Sequence, residues 1–453
     1  MLSGVHGGRR RVCLLEEVMA EEHKTVLAID LGAATLRMRL SRFAPGYPLH
    51  KLGEVFLPLD GLPVSASNIA PEEVLAGPKR LLEASQSPVD ATLDAAPVFC
   101  PNPACSLARR EWPAIATICA LCGTRLVPRA AIVAEELIGQ AMTRAAFDLE
   151  RSIGKPVKPD IALASAPVDW TADIRYRYLD FLKISFPGAE VRLVDDTVAI
   201  ARDALESPDT WRLPGIYPNE RILVIDSGAR RTQFFTAVSS PMIGFFDPAY
   251  AVETWGGIDC DHLIAGLVAE RMNVEFTTEV EAAWSRAVRR WKEGLSASTA
   301  DPAAVAQSLH LPIGGSGETL EAGPVAKDVG AILRAIEQRI VEVVDGGLSS
   351  LALAAKVDVV LLAGGNARWP YFETVLRSRF PETKIGHAPA GYPAAVSGLP
   401  WVLLADTMAW RLAPGQIEDD VDEEEVEVKH VPSITELFAA PPSSEPELPA
   451  AGS

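Results

Sequence analysis

Nowhere in the 453 residues is there an unbroken apolar run of the roughly 18 residues that a membrane-spanning helix needs, so no membrane partner is expected. Cysteine is scarce as well: six in the whole chain, too few for a disulfide scaffold. Positive charge is in deficit, with 42 Lys and Arg against 60 Asp and Glu and a net charge of −18. Such a balance does not recruit a phosphate backbone by general electrostatics, and no nucleic-acid partner is expected. The N-terminal stretch carries Arg9–Arg11, but acidic residues interrupt its apolar part and no small-residue cleavage site follows, which makes it a poor secretory signal. The seven histidines are scattered and mark no site. What is present is ordinary globular stuff, 48% hydrophobic and 23% charged, with length for about three domains or lobes at roughly 150 residues each. The expectation is a soluble, cytoplasmic, multi-lobed protein.

The negative charge is unevenly spread. Residues 415–453 hold eleven Asp and Glu and one Lys, so −10 of the −18 falls there, followed by a Pro- and Ser-rich stretch. This composition predicts a disordered acidic tail. Within it, ITELF (434–438) is either a short docking segment for an unknown protein partner or part of an inert solubilising tail. Residues 1–23 read as a non-structural leader, with Met19 as an alternative start.

The body of the chain has a repeated grammar. TVLAID (25–30) is an apolar run ending in Asp30; after Leu31-Gly32 the chain alternates, with Leu36, Met38 and Leu40 on one face and Arg37, Arg39 and Ser41 on the other. Period two predicts strand, glycine turn, strand. The pattern returns about 196 residues later, where RILVID ends in Asp226, Ser227-Gly228 turns, and TQFFTAV runs on. Two copies of one hairpin point to an internal duplication. Between them lie a predicted helix at 131–152, a buried strand at 161–167, a polar helix, and a strand ending in Asp195-Asp196 before another helix. Beyond the second copy come a helix opening at Gly256-Gly257, helices at 279–295 and 326–350 flanking a hairpin turn at Gly314-Gly315, and a buried strand at 357–365. Strands alternating with helices predict an α/β protein with central sheets.

A glycine turn after an Asp-terminated strand joins two useful properties. The missing Cβ lets backbone N–H groups approach phosphate oxygens, and the aspartate can hold a hydrated cation. Asp30-Leu31-Gly32 and Asp226-Ser227-Gly228 are two such turns, Gly364-Gly365-Asn366 a third, and Gly256-Gly257 a fourth. Each alone reads more readily as an ordinary turn. Asp-Ser-Gly also occurs in aspartic proteases, but their paired loops need Ser or Thr after both aspartates and the first loop here is Asp-Leu-Gly.

In their order these segments resemble the nucleotide-binding domain of the 70-kDa heat-shock chaperones (DnaK type), within the actin-like ATPase superfamily. AIDLGAATLRMRL is similar to that family's first phosphate loop, ILVIDSGARRTQFFTAV to its second, LVDDTVAIARDAL to its connecting helix, and WGGIDCDHLIAGLVAERM to its Gly-Gly helix start. VVLLAGGNARWPYFETVLRSRFP resembles the adenosine loop, WKEGLSAST the adenine-contacting helix, and GPKRLLEA the segment of the catalytic lysine. The resemblance spans 24–414. It implies two lobes on duplicated ribonuclease-H-like sheets with ATP or ADP and Mg²⁺ in the cleft: lobe I at 24–200 with an insertion at 97–128, lobe II at 201–393, and a return helix at 394–414. It further implies Asp30 and Asp226 as holders of hydrated Mg²⁺, Asp195 as the group orienting the attacking water, and Lys79 as the γ-phosphate counter-charge. Nucleotide contacts would come from Gly32, Gly228, Gly256, Gly257, Lys292, Ser296, Gly364, Gly365 and Arg368. Asp195 and Asp196 also suit helix N-capping, and Lys79 also reads as an exposed helix lysine. The family's peptide-gripping β-sandwich has no counterpart in the sequence, so peptide holding by that route is not expected.

The departures bear on hydrolysis. Ala33 and Ala34 stand where the family has two threonines, Asp195 where it has Glu, and Gln233 where its second loop ends in Asp. Arg289 and Glu293 exchange the charges expected on the adenine helix, and Arg230 and Arg231 replace loop glycines. Hydrolysis needs metal and water placed to fractions of an ångström, so the expectation is nucleotide binding with weak or partner-stimulated turnover, or a degenerate nucleotide-gated scaffold; an actin-like filament protein is the third alternative.

Four of the six cysteines cluster: Cys100-x4-Cys105 and Cys119-x2-Cys122, thirteen residues apart and followed by Gly123. Tight turns that aim two thiolates inward from each pair suit a zinc-ribbon-like knuckle on lobe I. The rival is buried or redox-active thiols; a redox pair would want Cys119 at a helix N-terminus, and its flanks read as strands.

Overall fold

The computed structural model describes residues 24–32, 35–43, 49–59, 98–100, 105–107, 110–112, 116, 118–123, 127–240, 244–296, 310–313, 318–321, 329–353 and 356–411. Lys79, Ala33, Ala34, the 314–315 turn, the 1–23 leader and the 415–453 tail lie outside these residues.

Two five-stranded mixed sheets organise the molecule. The first contains β1 (Lys24–Leu31), β2 (Thr35–Phe43) and β3 (His50–Pro58) as an antiparallel meander. Three two-residue strands, β4 (Val98–Phe99), β5 (Glu111–Trp112) and β6 (Val127–Pro128), form a separate small sheet. Helix α1 (Arg129–Ile153) then leads to β7 (Ile161–Ala166), α2 (Ala172–Ser185), β8 (Glu190–Asp195) and α3 (Asp196–Glu206). Strand order in the first sheet is β3-β2-β1-β7-β8, with β1, β7 and β8 parallel.

The second sheet repeats this plan. An antiparallel meander of β9 (Arg221–Ser227), β10 (Thr232–Ser240) and β11 (Gly244–Glu253) is followed by α4 (Gly257–Arg271), α5 (Thr278–Ser296), the hairpin pair β12 (His310–Ile313) and β13 (Glu318–Glu321), and α6 (Val329–Ser350). Then come β14 (Val359–Ala363), α7 (Pro370–Arg379), β15 (Lys384–His387) and α8 (Ala394–Arg411). The order is β11-β10-β9-β14-β15, with β9, β14 and β15 parallel, the same topology as the first sheet. The duplication read in the sequence is thus a duplication of whole sheets.

Period two decides which core each strand residue enters. From β1, Leu27, Ile29 and Leu31 join an outer core with α1 and α2, while Val26 and Ala28 face inward. From β9, Leu223 and Ile225 join the outer core under α4, α5, α6 and α7, while Ile222 and Val224 face inward. The two inward faces share one core with α3 and α8. Strands covered on both faces lose the polar alternation of a half-exposed strand, hence the fully buried VVLLA of β14 and IALASA of β7.

The inner layer is tight because of one glycine. A Cβ on Gly398 of α8 would stand 1.7 Å from the carbonyl oxygen of Ala199 on α3, so only glycine lets the two helix backbones meet. The boundary at 200/201 expected between the lobes falls inside α3, which belongs to both halves. Among the described residues no helix is long and apolar enough to cross a membrane.

Candidate functional site

The two duplicated hairpins meet at one cleft of about 600 Å³ between the sheets. Asp30 and Asp226 end equivalent strands and both line it, as do Gly32, Gly228 and the third turn, Gly364 to Asn366. The first two turns close alike: Gly32 N–H donates to Thr35 O at 2.7 Å, and Gly228 N–H to Arg231 O at 3.0 Å. Across them, Asp30 pairs with Arg37 and Asp226 with Gln233 at a constant offset of 196 positions.

A chain of hydroxyls fixes the second turn. Thr232 donates its proton to Trp255 O at 2.8 Å, so the 2.8 Å contact between Ser227 Oγ and Thr232 Oγ1 takes Ser227 as donor; Asn366 Nδ2 then donates to Ser227 Oγ at 3.0 Å. Asn366 therefore locks the third turn onto the second. Gly364 makes that seat possible: its φ is +87°, and a Cβ there would lie 2.2 Å from Ser227 O. Gly365 differs, having φ −65° and open space where a Cβ would point.

The Gly-Gly helix start has a structural task. Gly257 N–H donates to Gly228 O at 2.9 Å and Ile258 N–H to Ala229 O at 2.7 Å, so the first amides of α4 hold the second turn. Gly256 lies against the Arg230 backbone, 2.6 Å from where its Cβ would be, and it does not line the cleft, whereas Gly257 does. Gly256 N–H is taken by Asp259 Oδ2 at 2.8 Å.

Lys292 lines the cleft from α5 but is bound to the protein, at 2.6 Å from Gly257 O and 2.7 Å from Asp261 Oδ1. Burial raises the Asp261 carboxyl against the pull of Lys292 and Arg289. Ser296 ends α5, with its side chain outside the described set; Arg368 lines the cleft and is exposed. Asp30 accepts from Ser165 Oγ at 2.9 Å.

Asp195 is not among the cleft-lining residues. Its carboxylate accepts from Arg175 Nη2 at 2.6 Å, and Arg175 also holds Pro167 O at 2.9 Å. Burial pushes the Asp195 carboxyl up, with Arg175 opposing. Its neighbour Asp196 lines the cleft instead and accepts from Gln233 Nε2 at 3.3 Å, while Gln233 Oε1 accepts from Val168 N–H at 3.2 Å. An Arg231–Asp169 ion pair adds a second link from the second sheet's turn to the β7–α2 loop.

Sequence reading gave Arg37 only a strand face and Asp196 only a helix cap, and it missed the Asp169–Arg231 link. Counting the duplication through to the seventh residue after each strand-end aspartate was the available signal for Arg37. The basic side chains at the cleft are Arg37, Arg230, Arg231, Arg289, Lys292 and Arg368, against Asp30, Asp196, Asp226, Asp261 and Glu293. A chain of charge −18 thus gathers a slight basic excess at its cleft.

The second site is the knuckle. The Sγ atoms of Cys100, Cys105, Cys119 and Cys122 all lie within 4.8 Å of one another, with Cys100–Cys122 at 3.6 Å and Cys105–Cys119 at 3.8 Å. Four thiolates at about 2.3 Å from a tetrahedral zinc stand about 3.8 Å apart, so the donor set fits that ion. Leu107 N–H points at Cys105 Sγ at 3.4 Å, and Gly123 takes φ +70° with its N–H on Cys119 O, closing the turn beyond the second pair. No protein-family model matches the chain, and no curated protein is significantly similar to it.

Proposed function

We propose that the protein is a two-lobed nucleotide-binding module, akin to the DnaK-type domain of the actin-like ATPases, in which ATP or ADP in the cleft governs closure of the lobes. One observation carries this reading: two equivalent Asp-Gly hairpin turns and the Gly364-Gly365 turn converge on a single cleft whose basic side chains outnumber its acidic ones. Its volume of about 600 Å³ lies in the range of small-molecule sites. A ligand touching turns from both sheets binds the closed arrangement better than an open one and shifts the population toward it. Gly32, Gly228 and Gly365 offer backbone to phosphate groups without a side chain in the way, and Arg230, Arg231 and Arg368 offer charge.

Magnesium fits less well. Opposite the strand-end carboxylates Asp30 and Asp226 stand Arg37 and Gln233, where a second acid would complete a cation site. Weak hydrolysis is the second reading, favoured by Asp196 facing the same space as the aspartate pair; phosphate release abolished by Asp226→Ala is its signature.

In the knuckle, Cys100, Cys105, Cys119 and Cys122 would hold one structural Zn²⁺, which supplies a cross-link rather than chemistry.

The deciding experiment is calorimetric titration of ATP and ADP into the wild type and into Gly365→Trp. Gly365 lines the cleft and has open space where a Cβ would point, so the variant is expected to fold, with wild-type circular dichroism as the check, and to crowd the cleft with its indole. Saturable binding by the wild type and its loss in the variant is the expected result. Equal binding by both proteins, or none by the wild type, ends this reading of the cleft.

A further inference from the structure

We infer, resting on the nucleotide reading above, that the cleft takes its polyphosphate without a divalent cation, the guanidinium of Arg37 supplying the charge that a metal would otherwise bring. The duplication makes the comparison internal to the molecule. Arg37 and Gln233 occupy equivalent places, each directly opposite a strand-end aspartate and each lining the cleft. Side chains opposite one another on neighbouring strands share a face within a few ångströms. A cation held by Asp30 would therefore sit beside a permanent positive charge, while Asp30 is further engaged by the Ser165 hydroxyl at 2.9 Å.

Gln233 offers no compensation on the other side. Its oxygen accepts from Val168 N–H and its nitrogen donates to Asp196, so both ends of the amide are committed. Arg37, by contrast, is positioned and partly unsatisfied. Its guanidinium stands 5.3 Å from the Phe56 ring centroid, Nη1 reaches Tyr392 O at only 3.4 Å, and Nε is buried with no hydrogen-bond partner among the described residues. A guanidinium fork lining the cleft matches phosphate oxygens, and beside Asp30 it already fills the charge role that a cation there would take. Arg230 lines the same cleft from the second turn, while Arg231 beside it is held by Asp169.

The test uses the full chain and a fluorescent ATP analogue displaced by unlabelled ATP, in EDTA and in excess MgCl₂. Wild-type affinity is expected to differ by less than about threefold between the two conditions, well under the loss of one charged hydrogen bond. Arg37→Ala is expected to lose about tenfold or more in EDTA and to recover part of it in MgCl₂, because the cation gains room beside Asp30. Arg37→Gln, closer in length, repeats the measurement should the alanine variant fold poorly. Wild-type binding that appears only with MgCl₂ overturns this inference and leaves the nucleotide reading standing. Arg37 variants that bind as the wild type does in EDTA also overturn it. ATP bound in neither condition removes both.

Discussion

Two adjacent glycines show how differently one residue type is used. Sequence gives Gly364 and Gly365 the same meaning, a turn after a buried strand. The fold separates them, since Gly364 needs its positive φ and the absence of a Cβ against Ser227 O, whereas Gly365 needs neither. Gly364→Ala is expected to cost about 3 kcal/mol in denaturant unfolding, from left-handed strain plus the clash. Gly365→Ala should stay within about 0.5 kcal/mol of the wild type. Similar losses for the two would mean that the third turn is not seated on the second. Asp195 and Asp196 teach the same lesson. Both carboxylates at this strand–helix junction were visible, but successive residues point in different directions there, so which one faces the cleft depends on the backbone.

At the scale of elements, what the sequence made legible was whatever has a period or a spacing. The helix read at 131–152 is observed as Arg129–Ile153, that at 279–295 as Thr278–Ser296, and the alternation of Leu36, Met38 and Leu40 becomes three buried residues of β2. Arg37 and Arg39 on the opposite face are half-buried rather than in water, because that face of the strand is covered as well; alternation reports polarity, not what lies beyond it. The cysteine spacing was equally readable, since tight turns bring each pair together before any tertiary contact forms. The knuckle has little else to hold it: its apolar cluster is the first three cysteines and Val98, with Leu107, Trp112 and Ala116 against them. So small a core needs a staple. The purified protein is expected to carry about one zinc per chain by elemental analysis. Stripping it should open 97–128 to proteolysis while the circular dichroism of the sheets persists. A knuckle equally resistant with and without metal would show that the thiols need no ion.

For the molecule as a whole, the inner helical layer carries a titratable group. Asp203 on α3 is 1% exposed and accepts from Trp211 Nε1 and from Tyr392 OH, each at 2.9 Å. Burial lifts its carboxyl from 3.8 to about 6, against the pull of those two donors. A folded-state value above the unfolded one means stability that is complete below about pH 3.8 and is lost as pH rises through about 6. Between pH 4 and pH 7 the stability of the wild type relative to Asp203→Asn should fall by roughly 2 kcal/mol, followed by Trp fluorescence in urea. A pH-independent difference would place the cause elsewhere. None of this was legible beforehand, because Asp203 and Tyr392 lie 189 positions apart and meet only once both sheets exist. The duplicated plan itself was legible, because one hairpin written twice at a fixed offset survives without any knowledge of what lies between.

The close crossing of α3 and α8 at Gly398 bears on how the chain is made. The helix that completes the inner layer is Ala394–Arg411, the last described element; it packs on β1, β2 and β7 of the first sheet and on α3, while α3 itself lies against β9, β10 and β14 of the second. During vectorial synthesis the first sheet emerges early but lacks half its inner cover until residue 394 has left the ribosome. A nascent chain stalled short of that point leaves the inner face of the first sheet and the side of α3 that meets Gly398 uncovered. Among the described elements, the earliest-made strands therefore wait for the last helix.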